Sequence, residues 1–241
     1  MVAPGHVAQT YTRPAVSDLV VTILLIAMGY LIGSLPMGVI IARLTGATDP
    51  RTVGSGRTGG TNALRAMGPA RAIVVALLDL TKGAVAILIA GAAGVSIEIQ
   101  AIVGVAAVLG SWKSVFLRFG GGRGVATGVG GVLAFSPILF VLAAPVFLIV
   151  IVTTRYVSLG SLVGTAFGAG LGVVLVIAGA LDAAWLVYIV PGLGIVWLAH
   201  LDNIRRLLDG TERRFDPGDR QATAVPGGEA DDPNGSAEPL S

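Results

Sequence analysis

The sequence predicts an all-α integral membrane protein of about seven transmembrane helices, some short or broken, joined by glycine-rich cytoplasmic loops. Three observations predict it. The 241 residues are 54% hydrophobic and only 12% charged, with a mean hydropathy of +0.84, where a soluble domain carries about 25% charge. Apolar runs fall at about 18–44, 72–93, 97–117, 124–153, 157–180 and 183–201, and a membrane-crossing helix needs roughly 20 such residues. Basic residues gather beside some connections and avoid others, the asymmetry that marks cytoplasmic loops. The chain divides into a polar N-terminal segment (1–17), a polytopic membrane domain (18–214) and an acidic C-terminal tail (215–241).

The first run is read as a membrane helix. From Leu19 to Leu44 it exceeds the h-region of a secretory leader, and no A-x-A site follows. Inside it, Gly33 to Gly38 reads GSLPMG. Small residues let helices approach closely, and Pro36 introduces a kink, so helix packing is the favoured reading.

The next connection, Asp49 to Asn62, reads DPRTVGSGRTGGTN. Gly54, Gly56, Gly59 and Gly60 free the backbone to curl, Ser55, Thr58, Thr61 and Asn62 supply neutral donors, and Arg51 and Arg57 supply charge. Glycine amides beside arginine receive anions well. A solvated connector is the alternative, but it does not need this density of Gly, Ser, Thr and Arg.

In the second run, Asp79 and Lys82 lie three apart and share a helix face. Charge within a span is costly unless paired or turned to a cavity. The sequence leaves open a structural ion pair or a position at the rim of a site. Beyond the third run, Phe119 to Gly128 reads FGGGRGVATG, a second donor-rich nest opening a helix. It lacks the G-x-x-x-x-G-K-[ST] spacing of a nucleotide loop.

The fourth run decides the count. Arg43, Arg51, Arg57, Arg65 and Arg71 flank the first connection, Lys113, Arg118 and Arg123 the second, Arg155 the next, and Arg205, Arg206, Arg213 and Arg214 follow the last span. The connections near 94–96 and 180–183 hold no Lys or Arg. All the basic regions share the cytoplasmic side only if 124–153 goes out and returns, and Ser136-Pro137 near its middle is the expected break. Seven helices then place the N-terminus outside and the C-terminus inside. The last segment, His200 to Arg214, is amphipathic and basic and suits a membrane surface, with His200 and Asn203 on one face.

Composition also excludes. With no cysteine there is no disulfide framework, thiol chemistry or Cys-ligated metal. His6 and His200 are too few and too distant for a zinc site, and no metal or cofactor is expected. No nucleic-acid partner is expected either. The formal charge of +2 conceals six acids (Asp216, Asp219, Glu229, Asp231, Asp232, Glu238) against Arg220 in the tail, which leaves a basic membrane body. The tail has the composition of a disordered segment and is expected to be dispensable for chemistry.

Together and in order, these segments resemble the bacterial acyl-phosphate:glycerol-3-phosphate acyltransferase family. Its pattern is approximately GSxPxG, RxxGSGNxGATN, LDxxKG, LGHxxPVFxxFKGGKGVAT, RYVSL and HRxNIxRLLxGTE. This chain carries Gly33 to Pro36, Arg51, Gly54-Ser55-Gly56, Thr61-Asn62, Leu78-Asp79, Lys82-Gly83, Val115-Phe116, Gly121-Gly122, Gly124 to Thr127, Arg155 to Leu159, His200, Asn203 to Leu208 and Gly210 to Glu212. It departs at Arg57 (family Asn), Gly60 (Ala), Ser111 (His), Ser114 (Pro), Gly120 and Arg123 (both Lys) and Leu201 (Arg).

The resemblance implies a multi-pass enzyme of the bacterial inner membrane. It would transfer a fatty acyl group from acyl phosphate to glycerol 3-phosphate, giving lysophosphatidic acid and phosphate. The expected catalytic set is Ser55, Asn62, Arg123 and His200. Arg51, Gly54, Gly56, Arg57, Thr61, Gly121, Gly122, Gly124, Thr127 and Asn203 are expected to bind the substrates' phosphates. Membrane lipids are the remaining partner, and the sequence leaves the oligomeric state open. Arg57, Lys113 and Arg118 are candidates to restore the charge lost at Gly120. A catalytically weakened homologue that binds phosphorylated lipid, and a small-anion transporter, are the competing readings.

Overall fold

The computed structural model describes residues 16–215. Residues 1–15 and 216–241, which hold most of the N-terminal segment and nearly all of the acidic tail, lie outside the described residues. The protein is built from helices α1 (Val16–Ser34), α2 (Met37–Thr45), α3 (Gly60–Met67), α4 (Pro69–Ala92) and α5 (Ile97–Trp112), followed by α6 (Val125–Phe135), α7 (Pro137–Thr154), α8 (Val157–Ile177), α9 (Leu186–Leu198) and α10 (Leu201–Leu208). Among the described residues the only β pairing is an isolated bridge between Ser114 and Gly120. The protein is an all-α integral membrane protein. α4, α7 and α8 are each long and apolar enough to cross a bilayer, and two bent pairs, α1 with α2 and α9 with α10, qualify if each is one span. α5 and α6 are apolar but shorter.

The first apolar run is one span in sequence and two helices in space. The chain turns by 47° between α1 and α2, because Pro36 has no N–H to continue the ladder. The carbonyls that the break frees are not left bare. Lys82 Nζ donates to Gly33 O (3.1 Å) and Leu35 O (2.9 Å) and pairs with Asp79 Oδ1 at 2.8 Å. Asp79 and Lys82 therefore form a buried structural ion pair that also repairs a broken helix.

Backbone proximity organises the bundle. A Cβ added at Gly33 would collide with the Ala107 carbonyl, and one at Gly83 with the Thr127 carbonyl. These glycines seat α1 on α5 and α4 on α6 with backbones in contact, the expected use of small residues between membrane helices. α7 buries only Leu139 and exposes Ile138, Val141, Leu142, Leu148, Ile149 and Val152, an apolar face suited to lipid.

The run 124–153 breaks where expected. Pro137 opens α7, and Ser136 Oγ accepts from Leu139 N at 3.4 Å. α6 leaves from the Arg123 loop and α7 returns to Arg155, whose carbonyl accepts from Phe215 N at 2.6 Å. The C-terminal segment thereby ties the α7–α8 turn to the same end of the bundle as Arg123.

Candidate active site

The first glycine-arginine loop is organised by one side chain. Asn62, in the first turn of α3 and 2% exposed, reaches back across the loop. Its Nδ2 donates to the carbonyls of Pro50 (3.3 Å), Val53 (3.1 Å) and Arg57 (3.0 Å), while Oδ1 accepts from Ser55 N (3.4 Å) and Arg65 Nη1 (3.2 Å). Gly54 and Gly56 adopt φ of +56° and +68°, the left-handed region that suits glycine, and bend the loop around that amide. The result presents Ser55, Arg57 and Thr61 to a cavity. Arg51 is turned to Asp49, with Nη2 to Oδ2 at 2.7 Å, and does not line it.

The second loop is pinned from behind. Ser114 N donates to Gly120 O (2.8 Å), and Gly122 N to Ser111 O (2.9 Å). Gly121 passes so close to Ser111 and Trp112 that an added Cβ would lie 2.7 Å from both carbonyl oxygens. Gly124, at φ +76°, then turns the chain into α6. Gly122, Arg123 and Gly124 line the cavity, whereas Thr127 faces α4 and donates to Asp79 O at 3.0 Å.

A third contribution comes from the corner between α9 and α10. His200, 2% exposed, places Nδ1 at 2.7 Å from Val196 O. A carbonyl partner requires a proton on Nδ1, which leaves the Nε2 lone pair as acceptor. Asp202 Oδ2 sits between Arg123 Nη2 (3.5 Å) and Arg206 Nη2 (3.3 Å).

Glu212 braces the corner. Its Oε1 accepts from Asn203 Nδ2 (2.6 Å) and Ser158 Oγ (2.8 Å), and its Oε2 from Arg206 Nε (2.7 Å). Burial alone would raise this carboxyl, but the hydrogen bonds from Asn203, Ser158 and Arg206 outweigh it and hold the group below its ordinary value. Glu212 and Ser158 stand in the matched sequence patterns, yet no signal along the chain assigned them a role. Their partners lie 9 and 54 residues away in the chain.

These three pieces meet at one cavity of about 640 Å³. Its polar end carries Ser55, Arg57, Thr61, Arg123, His200 and Asn203; its other end is apolar and runs between α6, α7, α8 and α9 past Phe147, Leu193, Val196 and Leu139. Arg123 Nε and Asn203 Oδ1 are buried there without a protein partner among the described residues. Arg57 lines the cavity and raises the local positive field at Arg123 and Asp202. Lys113 lies over the Trp112 ring at 4.9 Å, and neither Lys113 nor Arg118 lines the cavity. Of the expected residues, Gly54, Gly56, Gly121 and Thr127 stand behind the wall rather than in it, and Asn62 lines it with its amide spent on the loop.

Fold and site define a polytopic membrane protein with a cationic, donor-rich pocket at the mouth of an apolar cavity. The model of the family described as glycerol-3-phosphate acyltransferase matches residues 23–210. A glycerol-3-phosphate acyltransferase of Thermus thermophilus is 45% identical over 188 residues, covering 78% of this chain and 92% of the relative. A glycerol-3-phosphate acyltransferase 3 of Dehalococcoides mccartyi is 38% identical over 205 residues, covering 80% and 95%. Two crystal structures of PlsY (YgiH), an integral membrane glycerol 3-phosphate acyltransferase, are similar in fold. The glycerol 3-phosphate form has a TM-score of 0.72 at 38% identity, covering 81% of this chain and 96% of that one. The lysophosphatidic acid form has a TM-score of 0.71 at 35% identity, covering 82% and 96%. The chain belongs to the glycerol-3-phosphate acyltransferase family.

Proposed function

We propose that this protein transfers a fatty acyl group from acyl phosphate to the 1-hydroxyl of glycerol 3-phosphate, releasing lysophosphatidic acid and phosphate. The observation that carries the proposal is the convergence of both glycine-arginine loops and the His200–Asn203 corner on the polar end of one apolar cavity. Two phosphorylated substrates, one with a long chain, match two cationic loops and an apolar slot.

In this reading the hydroxyl oxygen attacks the acyl carbonyl carbon. A new ester C–O bond forms, the bond between that carbon and the phosphate oxygen breaks, and phosphate departs with the electron pair. Holding both anions in line supplies most of what the reaction needs. Arg123, Ser55 and the Gly122–Gly124 backbone stabilise the leaving phosphate, Arg57 and Thr61 hold the second phosphate, and His200 Nε2 and Asn203 Oδ1 accept from the glycerol hydroxyls. The hydroxyl proton passes to phosphate, whose second pKa of about 6 suits the task.

The same reading takes the chain across the bacterial inner membrane seven times, N-terminus outside, with the site on the cytoplasmic face. It is supported by the basic regions at Arg57, Arg123, Arg155 and Arg206 gathering at one end of the bundle. The test is release of lysophosphatidic acid by purified protein offered acyl phosphate, acyl-CoA or acyl carrier protein in turn. Preference for a thioester donor would overturn the assignment of a loop to acyl phosphate.

A further inference from the structure

The apolar cavity has a definite length and a solid end. Along α9 the residues that face it are Tyr188, Ile189, Gly192, Leu193, Val196 and, past the helix end, His200, one face at helical spacing. Along α8 the lining starts at Val157 and Ser158, the latter bonded to Glu212, and finishes at Ala169. From the polar corner to the far end, each face advances twelve residue steps, 200 back to 188 and 157 on to 169, about 18 Å of helix. Two independent helices therefore give the same depth.

The far end is closed by Ile189 and Leu139. A Cβ added at Gly172 of α8 would lie 2.7 Å from Ile189 Cδ1 and 3.5 Å from Leu139 Cδ2, so both side chains press on the α8 backbone there. Both are buried, Leu139 almost completely. Tyr188 lines the same end, donating to Gly128 O at 2.7 Å and meeting Phe135 edge-on at 5.4 Å, and Phe135 in turn stacks on Trp185 at 4.1 Å. A wall backed by stacked rings and a hydrogen bond does not yield readily to an entering chain.

Gly192 behaves differently. It is buried and lines the cavity, yet a Cβ there would meet nothing within 4 Å. Its missing side chain is cavity space, one helical turn before the wall.

We propose that Ile189 and Leu139 set the longest acyl chain this protein accepts, and that Gly192 keeps the last turn of the cavity open for the chain's terminal carbons. The inference rests on the acyl-transfer reading above. It adds the residues that measure the chain. An apolar tail gains free energy for each methylene it buries, and loses that gain for each one it cannot seat.

The experiment measures kcat/KM of the purified parent, Gly192→Leu and Ile189→Ala with saturated acyl phosphates from decanoyl to stearoyl. Gly192→Leu fills open space and leaves packing intact, so its optimum shifts to shorter chains, with roughly fourfold lost per methylene displaced. Ile189→Ala opens the wall and shifts the optimum to longer chains. Should Ile189→Ala fail to fold, Gly192→Leu decides the matter alone. An unchanged chain-length ranking in Gly192→Leu overturns the ruler while leaving acyl transfer standing. A parent that turns over none of the series overturns the acyl-transfer reading itself, and the ruler with it.

Discussion

Glu212 holds the side-chain nitrogen of Asn203 at 2.6 Å, and this contact fixes which way the Asn203 amide points. With the nitrogen committed, Oδ1 is left buried at the cavity without a partner among the described residues. Glu212, itself at the cavity wall, thus chooses which atom of the Asn203 amide faces the cavity.

Replacing Glu212 with Ala strips partners from Asn203, Ser158 and Arg206 together. The expected loss is about 1–3 kcal/mol of stability, the usual cost of orphaning buried polar groups, and a raised KM for glycerol 3-phosphate. Thermal unfolding in detergent and initial-rate kinetics read the two effects. Because the folded-state carboxyl is held below its ordinary value, its contribution is complete at neutral pH. It disappears only as acid protonates the folded state, below the ordinary glutamate range.

Arg123→Ala should lower kcat/KM for lysophosphatidic acid formation by about a hundredfold or more, the typical effect of deleting a donor that stabilises developing charge. Arg123→Lys keeps the charge without the fork of donors and should fall between. Equal rates for the parent and Arg123→Ala would remove this residue from the phosphate site.

Asp202 shares Arg123 with whatever anion enters the cavity. Asp202→Asn should free the guanidinium, so that inorganic phosphate inhibits more strongly, several-fold by the usual weight of a partly exposed ion pair. A phosphate inhibition constant that does not move would show that Asp202 and the ligand do not compete.

His200 lines the cavity with Nδ1 committed to Val196 O. His200→Gln should raise KM for glycerol 3-phosphate and leave the shape of the kcat pH profile unchanged. A break in the parent's profile that His200→Gln abolishes would instead establish His200 as the base.

Asn62→Ala removes the side chain that gathers the first loop. Activity is expected to drop through misplacement of Ser55 and Arg57, with a loss of about 1–3 kcal/mol in stability. Asn62→Asp, which retains the acceptor for Ser55 but loses the donors to three carbonyls, should recover little. Full recovery would mean that the carbonyl contacts do not hold the loop.

Much of the architecture was legible in the chain. Hydropathy marked the membrane helices, Ser136-Pro137 marked the break between α6 and α7, and GSLPMG announced close packing through Gly33. The Gly-Arg pattern located both loops at the cavity. Roles within the loops were less legible. Arg51 and Arg57 read alike in sequence, yet Asp49 captures the first and the cavity receives the second. Asp79 and Lys82 admit two readings in sequence, and both have a share: Lys82 bonds the Gly33 and Leu35 carbonyls, while Asp79 also lines the cavity.

Local and additive properties are written along the chain: which segments are apolar enough for lipid, where proline and glycine bend the chain, and which stretches concentrate charge and donors. Tertiary structure alone decided what depends on distance between remote residues. It brought Glu212 to Ser158, Arg123 to Asp202, and Ile189 to the wall at Gly172. Composition and spacing act along the chain over a few residues. A hydrogen bond or a cavity wall requires atoms within a few ångströms, and only packing brings residues fifty or eighty positions apart to that range.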